Sequence, residues 1–199
     1  MELPRMLEWD SCLEVPVSSS SVRGCGWRAI GPRVILHPLD RMSEIFISYI
    51  HEDHAVATGL AGFLGHHGYK DVFFTGNDWL LYAGEVWLAR IRQELTAAKV
   101  VLSLFSPASV TRPWVHFEAG AAWLTDKVLI PVCIRGFTID DLRIPYSGIQ
   151  AITLTDSGSA YYLLRSLSKH LRPDTTAPPP FAQSDEGWRI LESKLNAES

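Results

Sequence analysis

The stretch EIFISYIHEDHAVATGLAGFLGHHG, residues 44–68, joins a short apolar run to a helical pattern, and this combination decides the fold class. Residues 45–49 (IFISY) are apolar with little alternation, which is typical of a parallel strand buried on both faces. Residues 53–68 follow an amphipathic helical pattern, and Gly65 and Gly68 are suited to ending the helix. The stretch therefore predicts the strand and the helix of one β-α unit.

The alternation of strand and helix continues along the chain. Further strands are predicted at residues 71–74, 99–105, 127–134 and 151–154, and further helices at 85–95, from Pro113, at 159–171 and at 184–195. Strands that alternate with helices favour a parallel sheet covered by helices on both faces. We therefore predict an α/β fold, a flavodoxin-like doubly wound sheet of five parallel strands in the order 2-1-3-4-5.

Such a sheet has a ligand crevice at the carboxyl ends of its first and third strands, where the winding reverses. Ser48, Tyr49 and His51 lie at the end of the first strand, and Ser106 follows the third. Ser106 and Pro107 are a cap and first-turn pair, typical of a helix start. We therefore expect these polar side chains to surround one crevice.

Glu118 lies in RPWVHFEAGAAW, residues 112–123, among aromatic and small apolar residues. On a helix it shares a face with Trp114, Ala121 and Ala122, so its surroundings are buried or half-buried. An ionised carboxylate is costly there unless it has a partner or lines a pocket. One interpretation is a structural glutamate bonded to a backbone N–H or an arginine. The position of this helix beside the predicted crevice favours the other, in which Glu118 overlooks the ligand site.

Composition excludes several classes of function. The chain has 199 residues, of which 47% are hydrophobic and 20% charged, close to the norm for globular proteins. A net charge of −4 and a pI near 6.0 argue against nucleic-acid binding. Three cysteines without a CxxC motif fit a reducing compartment, and no apolar run reaches the roughly 18 residues of a membrane span. We expect a cytoplasmic protein that binds neither nucleic acid nor membranes.

The chain divides into three predicted parts. Residues 1–42 show no sustained period and are expected to form a poorly ordered N-terminal extension. Residues 43–172 contain the α/β domain, and residues 173–199 contain a Pro-rich linker and a short amphipathic helix.

The cluster HEDH, residues 51–54, has two histidines and two carboxylates, the residue types that bind transition metals. It lacks the spacing of HExxH and a distant third ligand, and charges at a helix start explain it. We therefore expect no metal site.

Three motifs resemble, in order, those of the Toll/interleukin-1 receptor (TIR) domain family, and the likeness covers residues 43–172. FISYIHED (46–53) resembles the first box of that family. DVFFTGNDWLLYAGEVWLARIRQEL (71–95) resembles its second strand, BB loop and next helix. VVLSLFSPASVTRPWVHFEAGAAW (100–123) resembles its third strand and the helix that carries the W-x-x-x-E motif. The resemblance implies the TIR variant of the flavodoxin-like fold.

In TIR domains that cleave NAD+, the glutamate of W-x-x-x-E is catalytic. The resemblance implies this role for Glu118 and places the tryptophan of the motif at Trp114. It also implies NAD+ as a substrate rather than a cofactor, and no other cofactor is expected. The BB loop lacks the Pro-Gly of receptor and adaptor TIR domains. This departure favours the bacterial NAD-cleaving type and weakens the case for adaptor signalling.

A substrate role follows for residues around the crevice if NAD+ is the substrate. Trp114 or Tyr82 would stack on the nicotinamide or adenine ring, although ordinary packing explains Tyr82 equally well. Ser48, Tyr49 and His51 would contact the ribose or nicotinamide from the first strand and the loop after it.

The resemblance also implies self-association through the BB loop, which in enzymatic TIR domains commonly completes the active site of a neighbouring subunit. The residues concerned are Asn77, Asp78, Trp79, Leu81 and Gly84. A separate sensor or effector protein would control the enzyme, in antiphage defence or signal transduction. Two alternatives remain at this point, a non-catalytic TIR interaction module and a nucleoside deoxyribosyltransferase-like enzyme.

Overall fold

A computed structural model of the chain describes residues 43–74, 87–176, 178 and 180–197. The strands are β1 (Ile45–Ser48), β2 (Val72–Phe74), β3 (Val100–Phe105), β4 (Val128–Cys133) and β5 (Ile152–Thr153). The helices are α1 (His54–His66), α2 (Trp87–Ala97), α3 (Pro113–Leu124), α4 (Ser157–Leu171) and α5 (Glu186–Leu195).

Within the described residues, the five strands form one sheet in the order β2-β1-β3-β4-β5, and each neighbouring pair is parallel. This confirms the predicted α/β class, the flavodoxin-like strand order and the parallel direction of the strands. Because the order reverses between β1 and β3, the carboxyl ends of these two strands flank the predicted crevice.

Alternate strand residues supply two separate apolar layers, one on each face of the sheet. Ile45 and Ile47 of β1 belong to the layer shared with α1, α4 and α5, whereas Phe46 belongs to the layer shared with α2 and α3. Both layers are closed to solvent, since Phe46 and Ile47 are 0% exposed. The central strands are thus held from both sides, and their carboxyl ends are fixed positions for polar side chains.

The ends of two helices follow from local sequence. Gly68, just beyond α1, has a φ of +86°, a left-handed conformation that glycine adopts at little cost. Pro113 occupies the first turn of α3, as predicted. At Ser106–Pro107, where a cap and first-turn pair was predicted, the Ser106 hydroxyl accepts a hydrogen bond from the Ser109 N–H at 3.1 Å, which is a capping contact. The segment that follows is a turn and the short 3-10 helix Ser109–Thr111 rather than an α-helix.

The helix predicted near the C-terminus is present as α5 and packs against α1. Trp188 is 1% exposed and Leu191 is 0% exposed, so one side of α5 belongs to the core layer on the α1 face of the sheet. Asp185 caps this helix by accepting a 2.9 Å hydrogen bond from the Trp188 N–H. None of the described helices is long and apolar enough to cross a membrane.

Two of the predicted features lie outside the described residues. These are the N-terminal extension, residues 1–42, and the BB loop with Asn77, Asp78, Trp79, Leu81, Tyr82 and Gly84. The division of the chain into extension, domain and C-terminal part stays a prediction.

Candidate active site

The carboxyl end of β1 meets α3 through a hydrogen bond between two buried side chains. The Ser48 hydroxyl donates to Glu118 Oε2 at 2.5 Å, and the two residues are 70 positions apart in the chain. Ser48 is the last residue of β1 and Glu118 lies in the middle of α3. The fold therefore places the carboxylate beside the carboxyl end of β1, next to the point where the winding of the sheet reverses.

Glu118 is held by neutral donors. The side chain of Trp114, one helical turn earlier, also hydrogen-bonds to the carboxylate, and its only donor is the indole N–H. Oε1 is buried and has no hydrogen-bond partner among the described residues. Nor does any lysine, arginine or histidine in the described part of the chain form an ion pair with Glu118. The structural interpretation of Glu118 as an arginine partner finds no support in these contacts.

This environment changes the acidity of Glu118. The residue is 1% exposed. Burial raises its pKa from 4.5 to about 7, while the hydrogen bonds from Ser48 and Trp114 lower it in part. Close to neutral pH, therefore, the group exchanges between a neutral acid and a poorly solvated carboxylate. A carboxylate of this kind interacts strongly with a positive charge that develops beside it.

Trp114 is positioned by packing as well as by its hydrogen bond. Its ring stacks on Phe117, with centroids 5.5 Å apart and an interplanar angle of 29°. Phe117 itself is 64% exposed. The Trp114 side chain is thus held by the Phe117 ring and by its hydrogen bond to Glu118.

Ser103 of β3 is the register partner of Ser48 and adds a second hydroxyl at the same level of the sheet. It is 0% exposed. Its hydroxyl has no hydrogen-bond partner among the described residues. Two neighbouring strands thus carry buried hydroxyls on the α3 side, and the hydroxyl of Ser48 donates a hydrogen bond to Glu118.

A second buried carboxylate, Asp53, lies at the start of α1. It is 1% exposed, accepts a 2.7 Å hydrogen bond from the Ser106 hydroxyl, and lies 3.2 Å from Arg135 Nε. Burial raises the pKa of Asp53, while the Ser106 hydrogen bond and the Arg135 charge lower it. Unlike Glu118, Asp53 has a cationic partner, so its contacts are those of a structural ion pair that joins three strand ends.

Arg135 was not anticipated from the sequence. It follows β4 with a φ of 54°, a left-handed conformation that is uncommon outside glycine. Besides Asp53, it reaches the C-terminal region, since Nη1 donates to the Ala197 carbonyl at 3.0 Å. One sequence feature could have indicated a role for Arg135: it follows the carboxyl end of β4, the strand that pairs with β3.

The remaining predicted residues are placed differently. Tyr49 is buried in the layer on the α1 face, opposite to Ser48, and its hydroxyl lies 3.0 Å from His54 Nδ1. His51 is exposed in a 3-10 turn after β1. The structure thus brings Ser48 and Trp114 to Glu118 but does not bring Tyr49 there. The substrate roles of Tyr49, His51 and Tyr82 stay predictions. Among the described residues, no group of three or more His, Cys, Asp or Glu side chains is arranged to hold a metal ion.

The family comparison agrees with the observed fold. The sequence model of the TIR domain family matches residues 45–166, which include every strand and helices α1 to α3. This match covers more than half of the chain, and the protein belongs to the TIR domain family.

Similarity to individual proteins is weaker. The solved structure of a metazoan TIR-STING receptor from C. gigas is 26% identical, with a TM-score of 0.47. The match covers 55% of this chain and 37% of the receptor chain, so the chain spans little more than a third of that receptor. The comparison with curated proteins returned no match.

Proposed function

We propose that this TIR domain is an NAD+ glycohydrolase, in which Glu118 promotes cleavage of the bond between nicotinamide and ribose. The observation that carries the proposal is a 1% exposed glutamate at the switch point of the sheet with neutral donors and no cationic partner in the described part of the chain. A stabilising ion pair explains Asp53, but no such pair explains Glu118.

The chemistry suits a single carboxylate. When the ribose C1′–N bond breaks, its electron pair leaves with nicotinamide, which departs as a neutral molecule. Positive charge then develops on the ribose as an oxocarbenium-like state, and a fixed carboxylate stabilises it as carboxylates do in glycosidases. Water adds to C1′ and releases a proton to give ADP-ribose, or an adenine nitrogen adds to give a cyclic product. Because nicotinamide needs no protonation, a second catalytic acid is unnecessary.

The polar contacts of Glu118 support a carboxylate held in a fixed position. Ser48 and Trp114 hold one part of the carboxylate, and Oε1 has no donor among the described residues. In the proposed reaction Oε1 faces the anomeric carbon. Tyr82 would supply ring stacking, and His51 would contact the ribose or nicotinamide from the loop after β1.

TIR domains include NAD-cleaving enzymes and modules that only bind other proteins, so the first test is enzymatic. The full chain is incubated with NAD+ and the products are separated by chromatography. Release of nicotinamide supports the proposal. The second product on the chromatogram shows whether ADP-ribose or a cyclic product is formed. Absence of nicotinamide at every protein concentration favours the interaction module. Cleavage of nucleosides in preference to NAD+ favours a deoxyribosyltransferase-like enzyme.

We further propose that the enzyme works as a self-associated assembly, as TIR domains associate with one another and with other proteins. The BB loop, from Asn77 to Gly84, would contact a neighbouring copy through Trp79, Leu81 and Asp78. A separate sensor or effector protein would promote this assembly, in antiphage defence or another signalling response.

Assembly has its own test. Specific activity is measured against protein concentration for the wild-type chain and for the Trp79→Ala, Leu81→Ala double variant. The proposal expects specific activity to rise with concentration in the wild type and to rise much less in the variant, at equal melting temperatures. A specific activity that is independent of concentration in both proteins would leave a monomeric enzyme.

A further inference from the structure

A cavity lies against α3, on the side of the helix opposite to Glu118. Its volume is about 740 Å³, within the range of small-molecule sites. It lies between α3 and the segment 142–149, with Gly120 and Trp123 on the helix side. Glu118 and Gly120 are two positions apart and project to nearly opposite sides of the helix. The cavity is therefore separate from the crevice.

Two polar side chains of the cavity wall, His116 and Tyr146, already have hydrogen-bond partners. His116 Nε2 lies 2.7 Å from the Val110 carbonyl oxygen, so this nitrogen carries the proton and donates. His116 Nδ1 then accepts from the Tyr146 hydroxyl at 2.9 Å. The Tyr146 ring packs on Phe105, with centroids 4.8 Å apart. The interior of the cavity thus offers a ligand mostly apolar contact.

On the helix side of the cavity, Gly120 has no side chain. A Cβ atom added at this residue would meet nothing within 4 Å, so the space beside the helix backbone is open. Gly148, on the facing segment, is equally open. The open space beside these two glycines of the lining leaves room for a planar ring.

The rim combines exposed apolar side chains with one charge. Trp123 is 67% exposed and Ile144 is 90% exposed, an unusual exposure for large apolar residues next to a cavity. Arg143 is the charged member of the described lining, and its guanidinium forms no ion pair within the described residues, while its charge, in addition to the Thr138 hydrogen bonds, helps to lower the pKa of the nearby Asp141. The nearby Asp141 directs its Oδ2 to Thr138, at 2.8 and 2.9 Å.

We propose that this cavity binds a small molecule that joins an apolar ring system to one carboxylate. The ring lies between Gly120 and Gly148 and reaches the Trp123 indole, and the carboxylate pairs with Arg143 at the rim. A single anionic group fits because the described lining offers one cation, and a second buried charge would have no partner. The site does not depend on whether Glu118 cleaves NAD+.

The probe is naphthalene-2-carboxylate, and the neutral control is naphthalene-2-methanol. Binding of each to the full chain is measured by ligand-observed NMR and calorimetry. Gly120→Leu fills the cavity and is expected to weaken carboxylate binding at least about tenfold. Gly62→Leu is the matched control, since Gly62 is an exposed helical glycine in α1 that also has nothing within 4 Å of a Cβ. It should leave binding unchanged.

Arg143→Gln separates charge recognition from apolar burial. The proposal expects about a tenfold loss for the carboxylate and little change for the alcohol. If Gly120→Leu does not fold, Arg143→Gln tests the proposal alone, and equal losses for the carboxylate and the alcohol would contradict it. Failure of the carboxylate to bind wild-type protein at millimolar concentration would overturn the proposal, as would equal binding to Gly120→Leu. If neither probe binds but Gly120→Leu abolishes self-association in sedimentation, the occupant is a second copy of the chain and the proposal is wrong.

Discussion

The Ser48 hydroxyl lies 2.5 Å from Glu118 Oε2 and joins the end of β1 to the middle of α3. This hydrogen bond favours the ionised carboxylate and partly offsets the effect of burial on the pKa of Glu118. If the chain cleaves NAD+ as proposed, Ser48→Ala should therefore raise the pH at which kcat/KM reaches half of its maximum. The measurement is the pH profile of NAD+ cleavage between pH 5.5 and 9.

Ser103→Ala is the matched control for Ser48→Ala. Ser103 stands beside Ser48 in the sheet register and is equally buried, but its hydroxyl has no hydrogen-bond partner among the described residues. This substitution should leave the pH midpoint unchanged and be neutral or slightly stabilising. Equal pH profiles for the two variants would show that Ser48 does not act on Glu118.

The raised pKa of Glu118 also predicts how stability depends on pH. The folded state keeps the proton up to about pH 7, whereas the unfolded state loses it near 4.5, so the folded state is progressively destabilised as pH rises between these values. Over this whole pH range, ionisation of Glu118 lowers the free energy of unfolding of the wild type by an amount on the order of 3 kcal/mol. Glu118→Gln, which cannot ionise, should therefore gain stability relative to wild type from pH 5 to pH 8 in urea unfolding. If the free energies of unfolding of the wild type and Glu118→Gln change with pH in the same way, the pKa of Glu118 is not raised by burial.

Two neighbouring acidic residues allow a comparison of a buried and an exposed ion pair. Arg135→Met leaves Asp53 buried without its cation and should cost about 3 kcal/mol or more at neutral pH. The cost should shrink at acidic pH, because the pKa of Asp53, already raised by burial, rises further without Arg135. Arg112→Met breaks the exposed pair with Glu52, at 2.7 Å, and should cost less than about 1 kcal/mol. Urea unfolding at pH 5 and 7.5 measures both, and equal costs would rule out a structural role for the Asp53 pair.

The C-terminal helix offers a test of its place in the core. Trp188→Ala should lower the free energy of unfolding by about 3–5 kcal/mol, because Trp188 is 1% exposed in the α1 layer. Ile190→Ala, two positions away and 50% exposed, should lower it by less than about 1 kcal/mol. Thermal and urea unfolding measure the difference. Similar small losses for both variants would mean that α5 is dispensable.

The sequence predicted the fold well because the patterns that matter are local. The apolar run at 45–49 and the helical pattern after it identify one β-α unit, and the repetition of such units specifies the parallel sheet. The cap at Ser106 was predicted, but the sequence did not show that a turn and a short 3-10 helix follow it, because serine followed by proline suits a turn as well as an α-helix start.

The site was predicted in part. The W-x-x-x-E spacing and the expected crevice located Glu118, Trp114 and Ser48 together. Tyr49 does not lie beside them, because adjacent residues at a strand end point to opposite faces of the sheet: Ser48 faces α3, while Tyr49 packs on the other side. Arg135 was missed because its contact with Asp53 joins residues distant in sequence and depends on a left-handed backbone conformation.

The central claim is that Glu118 is the catalytic carboxylate, and nicotinamide release by three proteins tests it most directly. They are the wild-type chain, Glu118→Gln and Glu94→Gln, each compared at equal concentration after its melting temperature is recorded. Glu94 is a suitable control because it is also 1% exposed but pairs with Arg90 at 2.6 Å on α2, away from the crevice. We expect Glu118→Gln to remain folded and to lose about a hundredfold or more of the wild-type rate, since an amide cannot balance the developing charge. Glu94→Gln should keep the rate of the wild type within a few-fold. A folded Glu118→Gln protein that releases nicotinamide as fast as wild type would contradict the assignment.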